Sequence, residues 1–208
     1  MKPPADTAHP IHELLQRRWS PRAFADAQVM PDQLRTLFEA ASWAPSSFNE
    51  QPWGFIVTTR DDPEPFGRLL ATLTERNRSW ASRAPVLMLS VARLHFARSG
   101  KPNRHAFHDV GLAVENLVIQ ATALGLSVHQ MAGFDVDKAR EAFGIGEGLE
   151  PVAAIALGFP GDPQSLPDGL RERELAPRTR RPLEEFVFGG RWGAASPLVA
   201  GPGGGESR

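Results

Sequence analysis

The chain contains no cysteine and no tyrosine. Without cysteine there is no disulfide, no thiolate metal site and no cysteine nucleophile. Without tyrosine, no phenol can act in catalysis. Net charge is nearly absent as well. Lys and Arg number 23 against 24 Asp and Glu, a balance of −1, so no global field draws the protein to nucleic acid or an anionic membrane. An anion site has to be local, built from a few arginines. Long apolar runs are also missing. The longest, Val86–Leu89 and Val152–Leu157, fall far short of the roughly 20 residues that span a bilayer. The opening MKPPADTAHP has no apolar stretch of signal-peptide type. These absences are compatible with a reducing cytosol, and the expectation is a soluble cytoplasmic protein.

What is present suits one ordinary globular domain: 208 residues, 41% hydrophobic and 23% charged. Flat apolar surfaces come from five Trp and twelve Phe. Residues 1–9 are polar and proline-rich and read as a mobile arm. Residues 10–190 form the domain. Residues 191–208, ending AGPGGGESR, read as a flexible tail.

Hydrophobic spacing sets out the elements. Pro10 opens a short helix over Ile11–Arg17. Pro31 and Asp32 start a second that runs to about Trp43, with Leu34, Leu37, Phe38 and Ala41 on one stripe. Ala44–Pro52 is a polar loop between prolines, and Trp53–Thr59 a strand. A helix is predicted from about Pro65 to Ser82, and a buried strand over Pro85–Ala92. His105–Leu124 is the most strongly periodic segment, a central helix stopped by Gly125. Ser127–Met131 is a strand, Asp135 caps a helix to about Phe143, and Pro151–Gly158 is a fourth strand. Pro160–Pro182 reads as an irregular arginine-rich return, and Leu183–Phe188 as a last strand. Alternation of strands and helices would by itself suggest a parallel sheet.

Three segments carry candidate chemistry. Arg17-Arg18-Trp19-Ser20-Pro21-Arg22 places guanidiniums beside a hydroxyl and turn amides, a set suited to phosphate. The plainer alternative is that Arg17 and Arg18 complement a helix dipole while Arg22 is solvated. Pro45-Ser46-Ser47-Phe48-Asn49-Glu50-Gln51-Pro52-Trp53 packs hydroxyls and two amides between prolines, which suits a planar heterocycle or an ordinary surface turn. Pro177-Arg178-Thr179-Arg180-Arg181-Pro182 is a second cationic patch, and such runs are usually solvated.

Other signals are weaker. His105, His108 and Asp109 have a spacing that could hold a metal, but no third strong ligand is visible nearby. A capped or solvated helix start is the better reading, and no metal is expected. His129 either lines a pocket or is structural, the second being favoured. Trp80 and Phe107 are candidate lid or pocket aromatics, with core packing favoured for Trp80. Gly144-Ile145-Gly146-Glu147-Gly148 follows a helix and lacks the dinucleotide fingerprint spacing.

Together, RRWSPRAF, SSFNEQPWGFIV, GFD after a strand and PRTRRP, in this order, make the chain resemble the nitroreductase family of flavoenzymes over roughly residues 12–188. The resemblance implies an α+β fold: a mixed, mostly antiparallel sheet of four or five strands wrapped by helices, which replaces the parallel-sheet guess. It implies an intertwined homodimer with one flavin mononucleotide (FMN) at each end of the interface, touched by both chains. Asp109–Leu124 would then be a core and dimer helix. Matched by motif, Arg18 and Ser20 would bind the phosphate and ribityl chain, with Trp19 contributing backbone. Arg22 would face the N1/O2 edge of the ring. Pro45, Ser46, Ser47, Asn49 and Gln51 would reach the flavin from the other subunit. Arg178 and Arg180 would close the phosphate pocket. Asn77 matches a residue at the pyrimidine, though a family lysine shortly after it is not evident. Met131, Ala132 and Gly133 match the turn facing N5, where the contact is a backbone N–H, that of Ala132.

The activity implied is transfer of hydride from NADH or NADPH through flavin N5 to a small acceptor such as a nitroaromatic or quinone, with ping-pong kinetics and no catalytic side chain. Two other classes stay open. One is a flavin-binding or storage protein without turnover on the same fold. The other is a structural interaction domain, which would purify colourless.

Overall fold

The computed structural model describes residues 2–199, as two units, residues 2–175 and residues 176–199. The expected flexible tail falls partly on residues 200–208, outside the described residues.

The first unit is built on an antiparallel sheet of four strands in the order β1-β2-β4-β3. These are β1 (Trp53–Thr59), β2 (Val86–Arg93), β3 (Ser127–Met131) and β4 (Leu149–Gly158). All the pairings are antiparallel, so alternation with helices was no guide to strand direction here. The central strands explain themselves. β2 is buried at seven consecutive positions, Val86–Ala92, because helices cover both faces of the sheet. Successive residues serve opposite layers. Val86 and Met88 pack with α2 (Pro31–Ser42) and α5 (Ala106–Ala123). Leu87, Leu89 and Val91 pack with α3 (Pro63–Thr72), α4 (Glu75–Ala81) and α6 (Val136–Phe143).

α5 is the helix the periodicity predicted. Val110, Ala113, Val114, Leu117, Val118 and Ala121 are all buried. Asn116 donates to the Ala40 carbonyl at 3.1 Å and ties α5 to α2. α1 (Glu13–Arg17) lies along the other end of α5, where Arg17 donates to Thr122 O at 3.1 Å. It starts later than expected, because His12 rather than Pro10 caps it, its Nδ1 accepting the Leu14 N–H. Asp135 caps α6 as predicted, accepting the Lys138 N–H.

The helix predicted from about Pro65 to Ser82 is two helices. Leu73 and Thr74 leave helical geometry because their strand neighbours are in the turn after β3. Leu73 bridges Phe134, Thr74 N–H donates to Gly133 O at 3.0 Å, and Asp135 N–H donates to Thr72 O at 2.8 Å. Pairing across the chain outweighed local helix propensity at those residues. The irregular return after β4 also contains a helix, α7 (Asp168–Leu175).

Residues 2–9, read as a mobile arm, run back along this unit. Ala5 N–H donates to Gln16 O at 2.9 Å and Lys2 Nζ to Glu174 O at 2.8 Å. Residues 23–25 lie beside 159–161, with Ala25 N–H on Phe159 O and Gly161 N–H on Ala23 O, both at 2.9 Å.

The second unit holds no strand at Leu183–Phe188. Pro182 leads into a single turn, Leu183–Glu185. Phe188 instead bridges Ala195, and its ring lies 4.8 Å from that of Trp192. A proline and two adjacent glutamates favour a turn start over a strand.

A Cβ at position 161 would come within 2.5 Å of the Phe24 carbonyl carbon, a backbone atom that cannot give way. Gly161→Ala should therefore lower stability by roughly 1–3 kcal/mol, read as the midpoint shift in urea unfolding. A neutral result would mean that the two segments are not in register as described.

Candidate functional site

The segment after α1 carries two partly buried arginines, Arg18 and Arg22. Arg18 and Ser20 meet, Nη1 to Oγ, at 3.2 Å. Arg18 also acts on Glu115 of α5. Burial raises the Glu115 carboxyl above its usual range and the Arg18 charge opposes that rise. Trp19 is half-buried, with the Lys2 ammonium 5.3 Å from the centre of its ring. Pro21–Ala23 is held from two sides. From α7, the buried Glu174 carboxylate accepts Arg22 N–H at 2.9 and 3.0 Å and Ala23 N–H at 3.1 Å. From β3, His129 Nδ1 donates to Pro21 O at 2.8 Å. The Arg22 guanidinium, three-quarters buried, lies 3.7 Å from Glu174 Oε2.

Trp80 of α4 completes this side. It is a core residue, 1% exposed, packed on His129 at 4.6 Å and on Phe24 at 6.4 Å. One turn before it, Asn77 Nδ2 donates to Gly133 O at 3.0 Å. The ladder of β3 ends at Met131, whose side chain is buried. Ala132 is exposed and lies past the last paired residue. Gly133 O takes both Thr74 N–H and the Asn77 amide. Asn77 is thus bonded to Gly133, and the segment that carries Arg18, Ser20 and Arg22 is tied to β3 at Pro21, through His129, and to α7 at Arg22, through Glu174.

The 45–52 loop is built separately. Phe48, Asn49 and Gln51 all have positive φ, between 51° and 55°. That region costs a non-glycine residue of order 1 kcal/mol or more, so other contacts must impose it. Ser47 N–H donates to Asp109 Oδ2 at 3.0 Å. Gln51 N–H donates to Ser46 Oγ at 3.0 Å. Glu50 accepts Ala97 N–H at 2.6 Å, and Phe48 meets Phe96 edge-on at 5.9 Å. The loop therefore sits on the start of α5 and on the turn after β2. Pro45, Phe48, Asn49 and Gln51 are exposed, Phe48 at 92%.

Two residues that shape the site were missed or misread in the sequence. Asp109 was read as part of a capped or solvated helix start, with a metal ligand as the alternative, and not as an anchor for the 45–52 loop. Its oxygens are taken by Ser47 N–H and by His108 Nδ1 at 3.1 Å, and among the described residues no group of three or more His, Asp or Glu could hold a metal ion. Glu174 lay in a stretch read as irregular, and no local pattern marked it. Phe107, weighed as a lid or pocket aromatic, is half-exposed near the start of α5. Arg178 and Arg180 belong to the second unit, where Arg180 Nη1 donates to Thr179 O at 2.8 Å.

An apolar pocket of about 290 Å³ lies elsewhere, between β1 and the end of α6, lined by Trp53, Phe55, Val91, Phe143 and Leu149 among others. It contains none of the predicted site residues. No helix among the described residues is long and apolar enough to cross a membrane.

Comparison with known proteins adds the following. The model of the nitroreductase family matches residues 15–71 and 64–159. A crystal structure described as an oxidoreductase containing FMN superposes with a TM-score of 0.87 at 36% identity, covering 91% of this chain and 96% of that one. A Mycolicibacterium smegmatis protein of 15.4 kDa, described only as uncharacterized, is 40% identical over 124 residues, 60% of this chain and 82% of its own length. A Leptothrix cholodnii protein named "Putative NADH dehydrogenase/NAD(P)H nitroreductase" is 30% identical over 190 residues, 81% of this chain and 90% of its own.

His129 makes the framework pH-sensitive. Burial holds its ring down to about 4, from an ordinary 6.5, while its bond to Pro21 O works the other way. The folded protein therefore stays unprotonated there while the unfolded chain takes up a proton below about 6.5. The stability due to the neutral ring is complete above that pH and is lost as pH falls toward 4, by up to about 3 kcal/mol. Urea unfolding at about pH 7 and pH 4.5 should show this loss, and His129→Gln should flatten it. Equal slopes in the two proteins would refute the assignment.

Proposed function

The chain belongs to the nitroreductase family, and from that premise we propose that it is an FMN-dependent oxidoreductase that draws hydride from NADH or NADPH. When bound, FMN supplies the redox chemistry, accepting hydride at N5 and passing it to a small acceptor such as a nitroaromatic or a quinone in a ping-pong cycle.

The residues present fit such a group. A phosphate dianion needs fixed cations and hydroxyls, and Arg18 paired with Ser20 offers both. Arg22 would stand at the N1/O2 edge, where reduction places negative charge, and a cation there favours the reduced state. Past the end of β3, Ala132 would offer its N–H to N5, and the turn is held still by the two donors on Gly133 O. Asn77, pinned to that turn, would stand at the pyrimidine. No side chain has to act as nucleophile or general acid. The observation that carries this proposal is the tie of the Arg18–Arg22 segment to β3 through His129, two residues before the turn.

A second copy of the chain would complete the site. Asp109, which holds the 45–52 loop, and Glu115, which feels Arg18, lie on one helix. Six residues separate them, about 9 Å along the axis and about 120° around it. α5 thus presents the loop and the arginine segment toward different sides. Exposed Asn49 and Gln51, with Pro45, Ser46 and Ser47, would then serve the flavin of the partner, and Arg18 and Arg22 the flavin of their own chain. A cytoplasmic setting, where reduced nicotinamides are supplied, belongs to the same proposal.

The purified protein should be yellow, release FMN, and lose its visible absorbance on anaerobic mixing with NADH or NADPH. Failure of both donors to bleach the flavin would remove the reductase activity. Arg18→Ala should weaken FMN binding by about tenfold, equivalent to ~1.4 kcal/mol, whereas Ala132→Ser, whose contact is through the backbone, should leave binding unchanged. Equal losses in the two variants would refute these roles. On size exclusion the loaded protein should run as a dimer, and a flavin-loaded monomer would contradict the shared site.

A further inference from the structure

Glu174 lies on α7, fifteen residues beyond the end of the family match at residue 159. Its side chain has no solvent exposure. Both of its oxygens act as acceptors, Oε1 from Arg22 N–H and Ala23 N–H, Oε2 from Arg22 N–H, with the Arg22 guanidinium 3.7 Å away. A single carboxylate therefore engages the main chain and the side chain of the same arginine. The opposite side of the segment is closed by His129 on Pro21 O. The arginine is hydrogen-bonded at its root and has the same carboxylate as ion-pair partner at its tip. Fixed placement is what gives a charge its effect in a partly dry site, since nothing has to reorganise when the neighbouring charge changes.

We propose that Glu174 is a positioning residue for the flavin site. It aims the Arg22 guanidinium at the N1/O2 edge and so sets the reduction potential of the bound flavin. This rests on the FMN assignment above. The expected sign runs against simple charge counting. Removing a nearby negative charge should raise a flavin potential, whereas releasing the guanidinium from its aim should lower it.

The test uses the FMN-loaded protein. Glu174→Gln keeps the size of the side chain and one acceptor for the backbone N–H groups, and it removes the carboxylate that holds the guanidinium. Equilibration with reference dyes should show a reduced-to-oxidised flavin ratio about tenfold lower at the same dye potential, ~30 mV for a two-electron couple. Arg22→Ala should lower the ratio in the same direction. Adding Glu174→Gln to Arg22→Ala should then change it little further, because Glu174 acts through Arg22. Glu174→Asp, which keeps the charge, should restore part of the loss. A higher ratio in Glu174→Gln would overturn the proposal in favour of a direct charge effect. An unchanged ratio with lower thermal stability would overturn it in favour of a purely structural role. Wild-type protein that neither contains nor takes up FMN would sink the flavin assignment and this inference together, whereas loaded protein with an unmoved ratio sinks this inference alone.

Discussion

A carboxylate taken out of water has to be given donors, and two loops of this protein are shaped by that requirement. Glu174 and Asp109 are among the most buried polar residues in the chain, at 2% and 3% exposure. Left unpaired, each would cost several kcal/mol. The chain meets the demand with backbone N–H groups from segments outside the sheet and the α-helices: Arg22 and Ala23 for Glu174, Ser47 for Asp109. Each carboxylate thereby fixes a stretch of chain, outside the sheet and the α-helices, that carries arginines, hydroxyls or amides. What the carboxylates determine is where their neighbours point.

The rest of the scaffold supports that arrangement. A sheet buried on both faces gives α4 and α5 rigid beds. α4 brings Trp80 to His129 and Asn77 to Gly133, so one short helix steadies both the arginine segment and the turn after β3. α5 brings Asp109 under the 45–52 loop. That loop stores backbone strain at Phe48, Asn49 and Gln51 and keeps them exposed. Strain of this kind persists only where surrounding contacts over-determine it, and here Asp109, Ser46 and Glu50 do so. Polar groups fixed in advance lose little freedom when they meet a ligand.

Much of the fold was legible because its signals are local. β1 and β3 have the predicted bounds. α5 follows from apolar residues at three- and four-residue steps, and α6 from Asp135 at its cap. Predictions failed where a distant partner decided. The break between α3 and α4 comes from pairing with residues 133–135. Strand direction depends on which strands lie side by side, and periodicity says nothing about that. The segment after Pro182 turned because proline and acidic residues suit a turn start. Among site residues, Arg18, Ser20, Arg22 and the 45–52 loop stood out through motif spacing. Glu174 had no motif, and its importance appears only once α7 meets residue 22.

By itself, then, the amino-acid order determined the element types, the central helix, the family motifs and the kind of ligand that clustered arginines, hydroxyls and amides could hold. These are properties of spacing and side-chain chemistry, carried within a few residues of one another. Tertiary structure alone decided the antiparallel strand order, the break before Thr74, the burial that keeps His129 neutral and the pairing of Glu174 with Arg22. Each of those joins residues far apart in the chain. Their energies come from burial and from satisfying donors and acceptors across that distance, quantities that exist only when the chain is folded.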